Sequence, residues 1–541
     1  MKKIVSVAVC FFLILGMAGC GTGLTEKHSN PQVLTEAGLY PIVKEEYRED
    51  ITLTVMGAND SSLDLDWANN KFFKRMENLT GVHLDFEVYG DGMYTDKKGA
   101  AFNTASYLPD IFFKGFLTTY DELTFGAQQG QLIPLNDLIE GYAPNIKALL
   151  DRYPRVKKSI TAADGNIYSL PTIYVDNAAG DVLMRGFWWI DQSWLTELGL
   201  EMPTTTDELL TVLRAFKQKC TKQNAYPLVI AGLSEMQRLL SAFGLDGIQY
   251  WVQEKTDVSG EIEFVPQQPE FRAALEFFHT LYAEGLINPD WMTYDYSKKF
   301  ANGTLGDMYG MFYASSPYHV VGANTFKDFV AVNPLTSEVN AEKFWSATDN
   351  LEKGTFAITA ACEYPELAIR WVDTLYDVES EYWIWAIAGG EGEEWVWDDE
   401  EKTSWHLTVP LSSYSEIMST ILIQPGDGMP YAVNEKFYDK CSDELESYIR
   451  PQRMQQMRYG RVSYPYVSFN RSDLQDLSDL AADINTCVSR FVAACVRDGV
   501  DSGKDTDWDT FTRQFDSMYA LGDYMDILQR AYDDFYEGLP A

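Results

Sequence analysis

The sequence is poor in basic residues. Its 541 residues include 43 lysines and arginines against 80 aspartates and glutamates, which gives a formal charge of −37. Proteins that bind nucleic acids need a basic face that displaces counterions from the phosphates, so this composition excludes that class of partner. Hydrophobic residues make up 46% of the chain and aromatic residues 14%, which is ample for a large folded core. At roughly 150 residues per domain, the length predicts two to four domains or lobes.

Cysteine is also scarce. The chain has seven cysteines, of which two lie in the first twenty residues. No two cysteines have the C-x-x-C spacing, so neither a zinc knuckle nor a thioredoxin-type site is indicated. An odd number remains in the body of the chain, which argues against a complete disulfide framework. These five are Cys220, Cys362, Cys441, Cys487 and Cys495.

Catalytic motifs are missing as well. The sequence contains no G-x-S-x-G elbow, no H-E-x-x-H and no G-x-x-x-x-G-K-[ST]. The five histidines show no metal-ligand spacing, and we expect neither a metal nor a cofactor. Among 80 acidic residues, sequence alone does not single out a carboxylate pair for glycoside hydrolysis. We therefore expect a binding protein rather than an enzyme.

The long apolar run of this chain lies at the N-terminus. Two lysines precede an apolar stretch over residues 4–15, which is short for a bilayer span and typical of a signal-peptide core. Small residues then stand directly before Cys20, as in the lipobox of bacterial lipoproteins, which this segment resembles. The resemblance implies that residues 1–19 are removed as a signal peptide and that Cys20 is lipidated, with palmitate among its acyl groups. An ordinary secretory signal with an incidental cysteine is the alternative.

Residues 20–50 are predicted to form the lipid anchor and a flexible tether. They carry small, polar and charged residues without a periodic apolar pattern. About thirty flexible residues have an r.m.s. reach of ~30 Å. We expect this segment to hold the folded body away from the outer face of the cell membrane.

The folded body begins with an α/β pattern. Residues 51–55 alternate as a strand, residues 67–79 have helical periodicity, and residues 82–88 alternate again. Residues 111–113 form a short apolar run that is typical of a buried strand. This order predicts an α/β layer with parallel strands. Amphipathic helical stripes dominate the rest of the chain.

Aromatic residues are abundant in segments that also carry acids and amides. Flat aromatic faces beside fixed polar groups suit sugars, whose C–H face packs on a ring while the hydroxyl groups form hydrogen bonds. The same residues are equally compatible with aromatic edges of a hydrophobic core. These segments are Tyr89-Gly-Asp-Gly-Met-Tyr94, Trp188-Trp189, Tyr382-Trp383-Ile-Trp385 and Trp395-Val-Trp397.

The chain contains a series of short motifs in a specific order and spacing. They are Trp67-Ala-Asn-Asn-Lys-Phe-Phe-Lys74, Leu79-Thr-Gly-Val82, Leu108-Pro-Asp-Ile111, Gly130-Gln-Leu-Ile-Pro-Leu135, Tyr142-Ala-Pro-Asn145, Asp164-Gly-Asn-Ile-Tyr-Ser-Leu-Pro171, Trp194-Leu-Thr-Glu-Leu-Gly-Leu200, Pro203-Thr-Thr-Thr-Asp-Glu208 and Leu281-Tyr-Ala-Glu-Gly-Leu-Ile-Asn-Pro289. With them the chain resembles the lipid-anchored extracellular solute-binding proteins of bacterial ABC importers. This is the family that includes maltose-binding protein, and the chain looks most like its large Gram-positive branch.

The resemblance implies a two-lobed α/β fold of the periplasmic-binding-protein type, with hinge strands and a ligand cleft between the lobes. The first lobe is expected over 51–172 and 315–358, and a helix-rich second lobe over 173–314 and 359–541. The chain is expected to cross between them near 172–187, 313–320 and 356–362.

The resemblance also implies positions for the ligand site. Ligands of open α/β sheets lie beyond the carboxyl ends of the strands, which independently indicates the loops after Gly57 and Phe113. A solvated or structural role is the alternative for every residue carried over. The expected ligand-binding residues are Asn59 and Asp60 in the first loop, Lys114 after the third strand, Asp176 on the first hinge, Glu235 in the second lobe, Tyr313 and Ser315 on the returning hinge, and Trp383 as a stacking residue.

The expected function follows from the same resemblance. It is capture of a carbohydrate, an oligosaccharide, and its delivery to ABC transporter permease subunits by a membrane-anchored monomer. A secreted glycan-processing enzyme and a surface sensor or adhesin with the same binding fold stay open as alternatives. An anionic ligand such as a uronate oligosaccharide would need a basic cleft, to which Lys114 and Arg185 are the obvious contributors.

Overall fold

The structure is a computed structural model that describes residues 29–59, 66–104, 107–177, 179–256, 258–409, 420–423, 428–518 and 520–539. These residues form two lobes, and each lobe packs hydrophobic cores on both faces of its own sheet. The predicted two-lobed α/β architecture is confirmed. Within the described ranges, none of the helices combines the length and the apolar character needed to cross a membrane.

The first lobe is built on a six-stranded sheet. Its strands are β1 (Thr52–Asn59), β2 (His83–Gly90), β3 (Ile111–Phe113), β4 (Leu170–Val175), β14 (Leu351–Ile358) and β17 (Ala432–Asn434). In space they follow the order β17-β4-β14-β3-β1-β2. All run parallel except β14, which is antiparallel to both β3 and β4. The carboxyl ends of five strands therefore lie at one edge of the sheet.

The second lobe is built on a four-stranded sheet. Its strands are β6 (Phe187–Asp191), β7 (Tyr226–Val229), β10 (Tyr309–Ala314) and β11 (Phe329–Ala331), in the order β11-β6-β10-β7. Strand β10 runs parallel to β7 and antiparallel to β6. The carboxyl ends of β7 and β10 therefore lie at the same edge as the beginning of β6.

The described residues also form four two-stranded sheets. They are β5 (Val182–Leu183) with β13 (Thr348–Asp349), β12 (Trp345–Ser346) with β18 (Gly460–Arg461), β8 (Val252–Glu254) with β9 (Ile262–Phe264), and β15 (Trp395–Trp397) with β16 (Trp405–Leu407). The pairs β5 with β13 and β12 with β18 join segments in which the chain passes from one lobe to the other.

Helices cover both sheets. Those of the first lobe are α1 (Lys71–Thr80), α2 (Asp91–Asn103), α3 (Thr119–Asp121), α4 (Asn136–Tyr142), α5 (Pro144–Arg152), α6 (Pro154–Ile160), α13 (Pro365–Asp373), α14 (Ile384–Ile387) and α15 (Glu435–Tyr438). Those of the second lobe are α7 (Gln192–Leu198), α8 (Thr206–Phe216), α9 (Leu233–Gln237), α10 (Pro269–Ala283), α11 (Tyr296–Gly303), α12 (Pro317–Val321), α16 (Glu444–Met457), α17 (Arg471–Asp498), α18 (Trp508–Met518) and α19 (Leu521–Tyr536).

Local sequence explains the start of the first lobe. Helix α1 begins at Asn70, whose side chain accepts a hydrogen bond from a backbone N–H of the first turn, and it ends at Gly81 with a φ of 70°. The ring of Trp67 packs over β1 at Gly57, where an added Cβ would lie 2.4 Å from the ring. Glycine is therefore required at this position for the helix entry to close over the strand.

Over the residues that the structure describes, the chain crosses between the lobes at three places. Core contacts move from the first lobe to the second over residues 176–186, return over 346–350, and move back to the second lobe at 442–444. The first crossing lies where it was predicted, near 172–187. The predicted second and third crossings, and with them the predicted lobe boundaries after β10, are wrong.

The reason lies in which sheet each later strand joins. After β10 the chain stays in the second lobe, where β11 pairs antiparallel with β6 and Val320 and Phe326 are buried. After β14 it stays in the first lobe, because Leu367 and Trp371 of α13 pack into the first-lobe core. Residues 315–345 therefore belong to the second lobe, and residues 359–441 to the first wherever the structure describes them.

The described part of the predicted tether, residues 29–50, is folded onto the first lobe. The pairs Val33-Leu34 and Ile42-Val43 are buried in its core. Arg370 donates hydrogen bonds from its guanidinium to backbone oxygens of this segment, at 2.6 Å to Thr35. The flexible-tether prediction is thus wrong for these residues, because two short apolar pairs suffice to anchor them without a periodic pattern. Residues 20–28, and Cys20 with them, lie outside the described part.

Candidate ligand-binding site between the two lobes

Each of the two sheets has an edge where carboxyl ends of strands meet, and these two edges lie on the facing sides of the lobes. The chain leaves the first lobe from the carboxyl end of β4, so the edge that carries the carboxyl ends of β1, β3 and β4 lies on the side of the second lobe. Ligands of open α/β sheets bind at this kind of edge. Asn59, Lys114 and Asp176 occupy the ends of these three strands, as predicted from the sequence.

A pocket lies at the corresponding edge of the second lobe. It holds about 220 Å³ of empty space, including space open to solvent. Its walls come from the start of β6, the end of β10, the residues after α9 and the second crossing. The lining residues are Met184, Gly186, Phe187, Trp188, Arg238, Tyr313, Trp345 and Ser346.

Gly186 lets the pocket form. An added Cβ at this position would lie 2.5 Å from the ring of Tyr313 and would clash with it, so this position requires glycine. The Tyr313 ring meets the ring of Trp188 edge-on, with centroids 5.3 Å apart, and the guanidinium of Arg238 lies 5.8 Å from the Tyr313 centroid. The predicted ligand residue Tyr313 is therefore part of the pocket wall.

Two side chains in the pocket wall have unused hydrogen-bonding groups. Trp188 and Ser346 are only 2% and 4% exposed, yet Trp188 Nε1 and Ser346 Oγ have no hydrogen-bond partner among the described residues. Buried polar groups are almost always hydrogen-bonded, because leaving one unpaired costs about 1–3 kcal/mol. A ligand or water in the pocket would satisfy both groups.

The loop after β3 presents an aromatic ring at the facing edge. Lys114 and Phe116 both have positive φ values, 50° and 42°, which are uncommon for residues other than glycine. The loop is held there by two backbone hydrogen bonds to β14 and by Lys98, whose Nζ donates to the Phe116 oxygen at 2.8 Å. Phe116 is 44% exposed in this conformation. Strain of this kind is characteristic of functional sites, and here it exposes a ring that a ligand can cover.

Asp176 holds the first crossing in place. Its carboxylate pairs with Arg152 and with Lys436, the latter at 3.2 Å, and it has a φ of 56°. Although partial burial opposes it, hydrogen bonding to these two cations keeps the pKa of Asp176 below its usual range. The residue is thus an ionised clamp at the end of β4, and both of its oxygens are engaged by the protein itself.

Glu235 lies behind the pocket rather than in it. Its carboxylate is buried and forms an ion pair with Lys299 of α11 at 2.7 Å. It also accepts a hydrogen bond from the backbone of Ala231 at the start of α9. Lys299 Nζ in turn donates to the backbone oxygen of Tyr313 at 2.6 Å. The pair therefore joins the helix that precedes Arg238 to the strand end that carries Tyr313.

A second buried carboxylate joins the lobes at the hinge. Asp349 of β13 is 2.8 Å from Arg155 of α6 and accepts the backbone N–H of Tyr466 at 3.0 Å. Arg155 also lies over the rings of Phe535 and Tyr536 of α19. These contacts tie the first lobe to the last segment of the chain beside the crossing strands.

The remaining predicted site residues have different surroundings. The Oδ1 atom of Asn59 is buried without a hydrogen-bond partner in the described ranges, and Lys114 is buried. Ser315 is exposed, with Oγ 3.2 Å from Nδ1 of His319. Asp60 lies outside the described residues. Trp383 is wrong as a stacking residue, because it is only 1% exposed and packs inside the first-lobe core.

Sequence reasoning did not select Arg238, Ser346 or Phe116. Arg238 and Ser346 stand outside any motif, in a turn of 3-10 helix and in a two-residue strand. The pair Trp188-Trp189 was predicted as a candidate aromatic segment. Successive side chains of a strand point to opposite faces of the sheet, so the two rings lie on different sides of β6. Trp188 lines the pocket, whereas Trp189 donates its indole N–H to the Ala314 oxygen at 2.9 Å inside the core.

Comparison with known proteins gives a consistent set of relatives. No protein-family model matches the chain. The fructooligosaccharide ABC transporter substrate-binding protein FusA of Streptococcus pneumoniae is 26% identical over 543 residues, which cover 96% of each chain. The structure of FusA with kestose matches with a TM-score of 0.74 and 25% identity, over 90% of this chain and 99% of that one. Lipoprotein LipO of Bacillus subtilis is 30% identical over 240 residues, 42% of this chain and 43% of LipO.

Proposed function

We propose that this chain, which is similar to a substrate-binding protein of an ABC transporter, captures an oligosaccharide between its two lobes and delivers it to the permease of an importer. The observation that carries the proposal is the pair of facing edges. One holds Asn59 and the exposed ring of Phe116, and the other holds the pocket of Trp188, Tyr313 and Ser346 with its unsatisfied polar groups.

The chemistry of these edges suits a sugar. Aromatic rings offer flat apolar faces to the C–H side of a pyranose or furanose ring, and buried donors and acceptors fix its oxygens. The similarity to FusA, a fructooligosaccharide-binding protein, supports an oligosaccharide ligand over a monosaccharide. FusA is a substrate-binding protein of an ABC transporter and not an enzyme, which confirms the expectation of a binding protein rather than an enzyme.

The geometry supports part of the proposed ligand contacts. Asn59 and Tyr313 are proposed to meet the ligand directly, and Ser315 is proposed to lie at the rim. Asp60 is proposed because it follows Asn59 in the sequence, and the buried Lys114 because it follows β3. Asp176 and Glu235 act through their ion pairs, which fix the strand ends that carry the contacts. A ligand that touches both lobes binds the closed arrangement better and shifts the population toward it.

We also propose that the protein works as a monomer at the outer face of the cell membrane. A single chain supplies both lobes and the described lining residues of the pocket, which supports a monomer. The similarity to LipO, a lipoprotein, supports lipid attachment at Cys20. Because residues 29–50 pack on the first lobe, that lobe would carry the anchor.

Replacing Cys20 by alanine is expected to abolish lipidation and to move the protein from the membrane fraction to the medium. Mass spectrometry of the N-terminal peptide should show acyl groups on the wild-type chain and none on the variant. Cys10→Ala, in the apolar stretch of the signal segment, is the matched control and should leave acylation intact. An unmodified N-terminal peptide in wild-type protein made by a lipoprotein-processing host would contradict the anchor.

A thermal-melt series tests the proposed function. The unlipidated protein is melted with kestose, maltotriose, xylotriose and trigalacturonate, and with sorbitol as a control for non-specific solute effects. At 100 times its Kd, a ligand should raise the free energy of unfolding by about 2.7 kcal/mol. Chromatography should recover that ligand unaltered after long incubation. Equal melting temperatures with every oligosaccharide and with sorbitol would contradict the proposal.

A further inference from the structure

The described residues that line the pocket include several hydrogen-bond donors, and no acidic side chain is among them. Arg238 is partly buried in its wall and contacts the Tyr313 ring, but the guanidinium forms no ion pair and no hydrogen bond with any described residue. The indole N–H of Trp188 and the hydroxyl of Ser346 are buried and unpartnered beside it. Guanidinium and indole N–H groups only donate hydrogen bonds.

The acids nearby are already engaged. Glu235, on the helix just before Arg238, pairs with Lys299, and Glu352 pairs with Arg185 of the first crossing. The carboxylate of Asp246 interacts electrostatically with Arg238, but Asp246 accepts a hydrogen bond from the backbone of Ile248 and forms no ion pair with Arg238. A partly desolvated cation without a directly paired acid is costly, so the pocket favours a group that brings negative charge and acceptor oxygens.

We propose that this pocket is a subsite for the carboxylate of an acidic sugar, so that the oligosaccharide ligand carries a uronate residue. This inference rests on the proposed function and adds the charge of the substrate to it. A carboxylate has two oxygens that only accept, which matches the guanidinium and the indole N–H. A neutral hydroxyl group would also bring a proton that needs an acceptor. None of the described residues that line the pocket is an acid that could accept this proton.

The test compares trigalacturonate with its methyl ester by calorimetric titration at pH 7. The wild-type protein should bind the acid at least tenfold more tightly than the ester, which keeps the same sugar rings without the charge. Arg238→Gln should weaken binding of the acid at least tenfold and change binding of the ester less than threefold. Trp188→Phe, which keeps an aromatic ring but removes the N–H, should weaken binding of the acid several-fold.

Arg497→Gln is the matched control, because this arginine is exposed and pairs only with the adjacent Asp498 in the described structure. It should leave both affinities unchanged. Equal affinity for acid and ester, or an equal loss of both in Arg238→Gln, would overturn the inference. Binding of kestose without binding of trigalacturonate would overturn the inference alone, whereas binding of none of the oligosaccharides would also overturn the proposed function.

Discussion

Replacing Glu235 by glutamine is expected to lower the free energy of unfolding by about 3–5 kcal/mol, the usual cost of leaving one member of a buried ion pair without its partner. The side chains of Glu235 and Lys299 are 1% and 0% exposed, and their charged atoms are 2.7 Å apart. Burial raises the pKa of Glu235 and lowers that of Lys299, while their mutual attraction opposes both shifts. Urea unfolding of the purified protein measures the loss.

Lys298→Met is the matched control for this effect. Lys298 is the neighbour of Lys299 on α11 and pairs with Asp290 at 2.6 Å, but this pair is exposed. Exposed pairs contribute little, so the urea midpoint should barely move. The double variant Glu235→Gln/Lys299→Met removes both charges and should recover part of the stability lost in either single variant. Equal, small effects of Glu235→Gln and Lys298→Met would show that the buried pair is not what holds α9, α11 and β10 together.

Replacing Phe116 by alanine is expected to weaken oligosaccharide binding roughly tenfold, which corresponds to ~1.4 kcal/mol. The ring is 44% exposed at the facing edge of the first lobe, and a sugar that covers it gains an apolar contact of the size measured for stacked aromatic pairs. The melting temperature without ligand should change little, because an exposed side chain contributes little to folding. Titration of the ligand found in the thermal series measures the affinity.

Leu39→Ala is the control for that variant. Leu39 is 53% exposed and lies in the N-terminal segment, whose neighbours are the end of α1 and α13, away from the facing edge. It should leave ligand affinity unchanged. If Phe116→Ala lowers the melting temperature without ligand and leaves the affinity intact, the ring serves the loop after β3 and not the ligand.

The beginning of the fold was predictable because its signals are local. The alternation of residues 51–55 and 82–88 and the helical pattern of 67–79 appear in the structure as β1, β2 and α1, within a few residues. The insertion of β14 between β3 and β4 was not predictable in this way. An apolar strand shows that it pairs, but not with which strand, and its partners lie more than 170 residues away along the chain.

The site residues stay predictions, and strand position supports only part of them. The carboxyl ends of open α/β sheets indicated the loop that follows Gly57 and contains Asn59. Tyr313 was implied by the family resemblance, and in the structure it lines the pocket. Trp383 was misplaced because residue type does not separate a ring that stacks on ligand from a ring that fills a core. Arg238 was not selected because the feature that distinguishes it is the absence of a directly paired acid among the described residues, and only its three-dimensional neighbours reveal this.

The most direct test of the account is a crystal structure of the protein with the oligosaccharide that gives the largest rise in melting temperature. We expect ligand density between the two lobes, in contact with Asn59 or Phe116 on one side and with the pocket of Trp188, Tyr313 and Arg238 on the other. Density bound to the outer surface of a single lobe, with the space between the two edges empty, would contradict it.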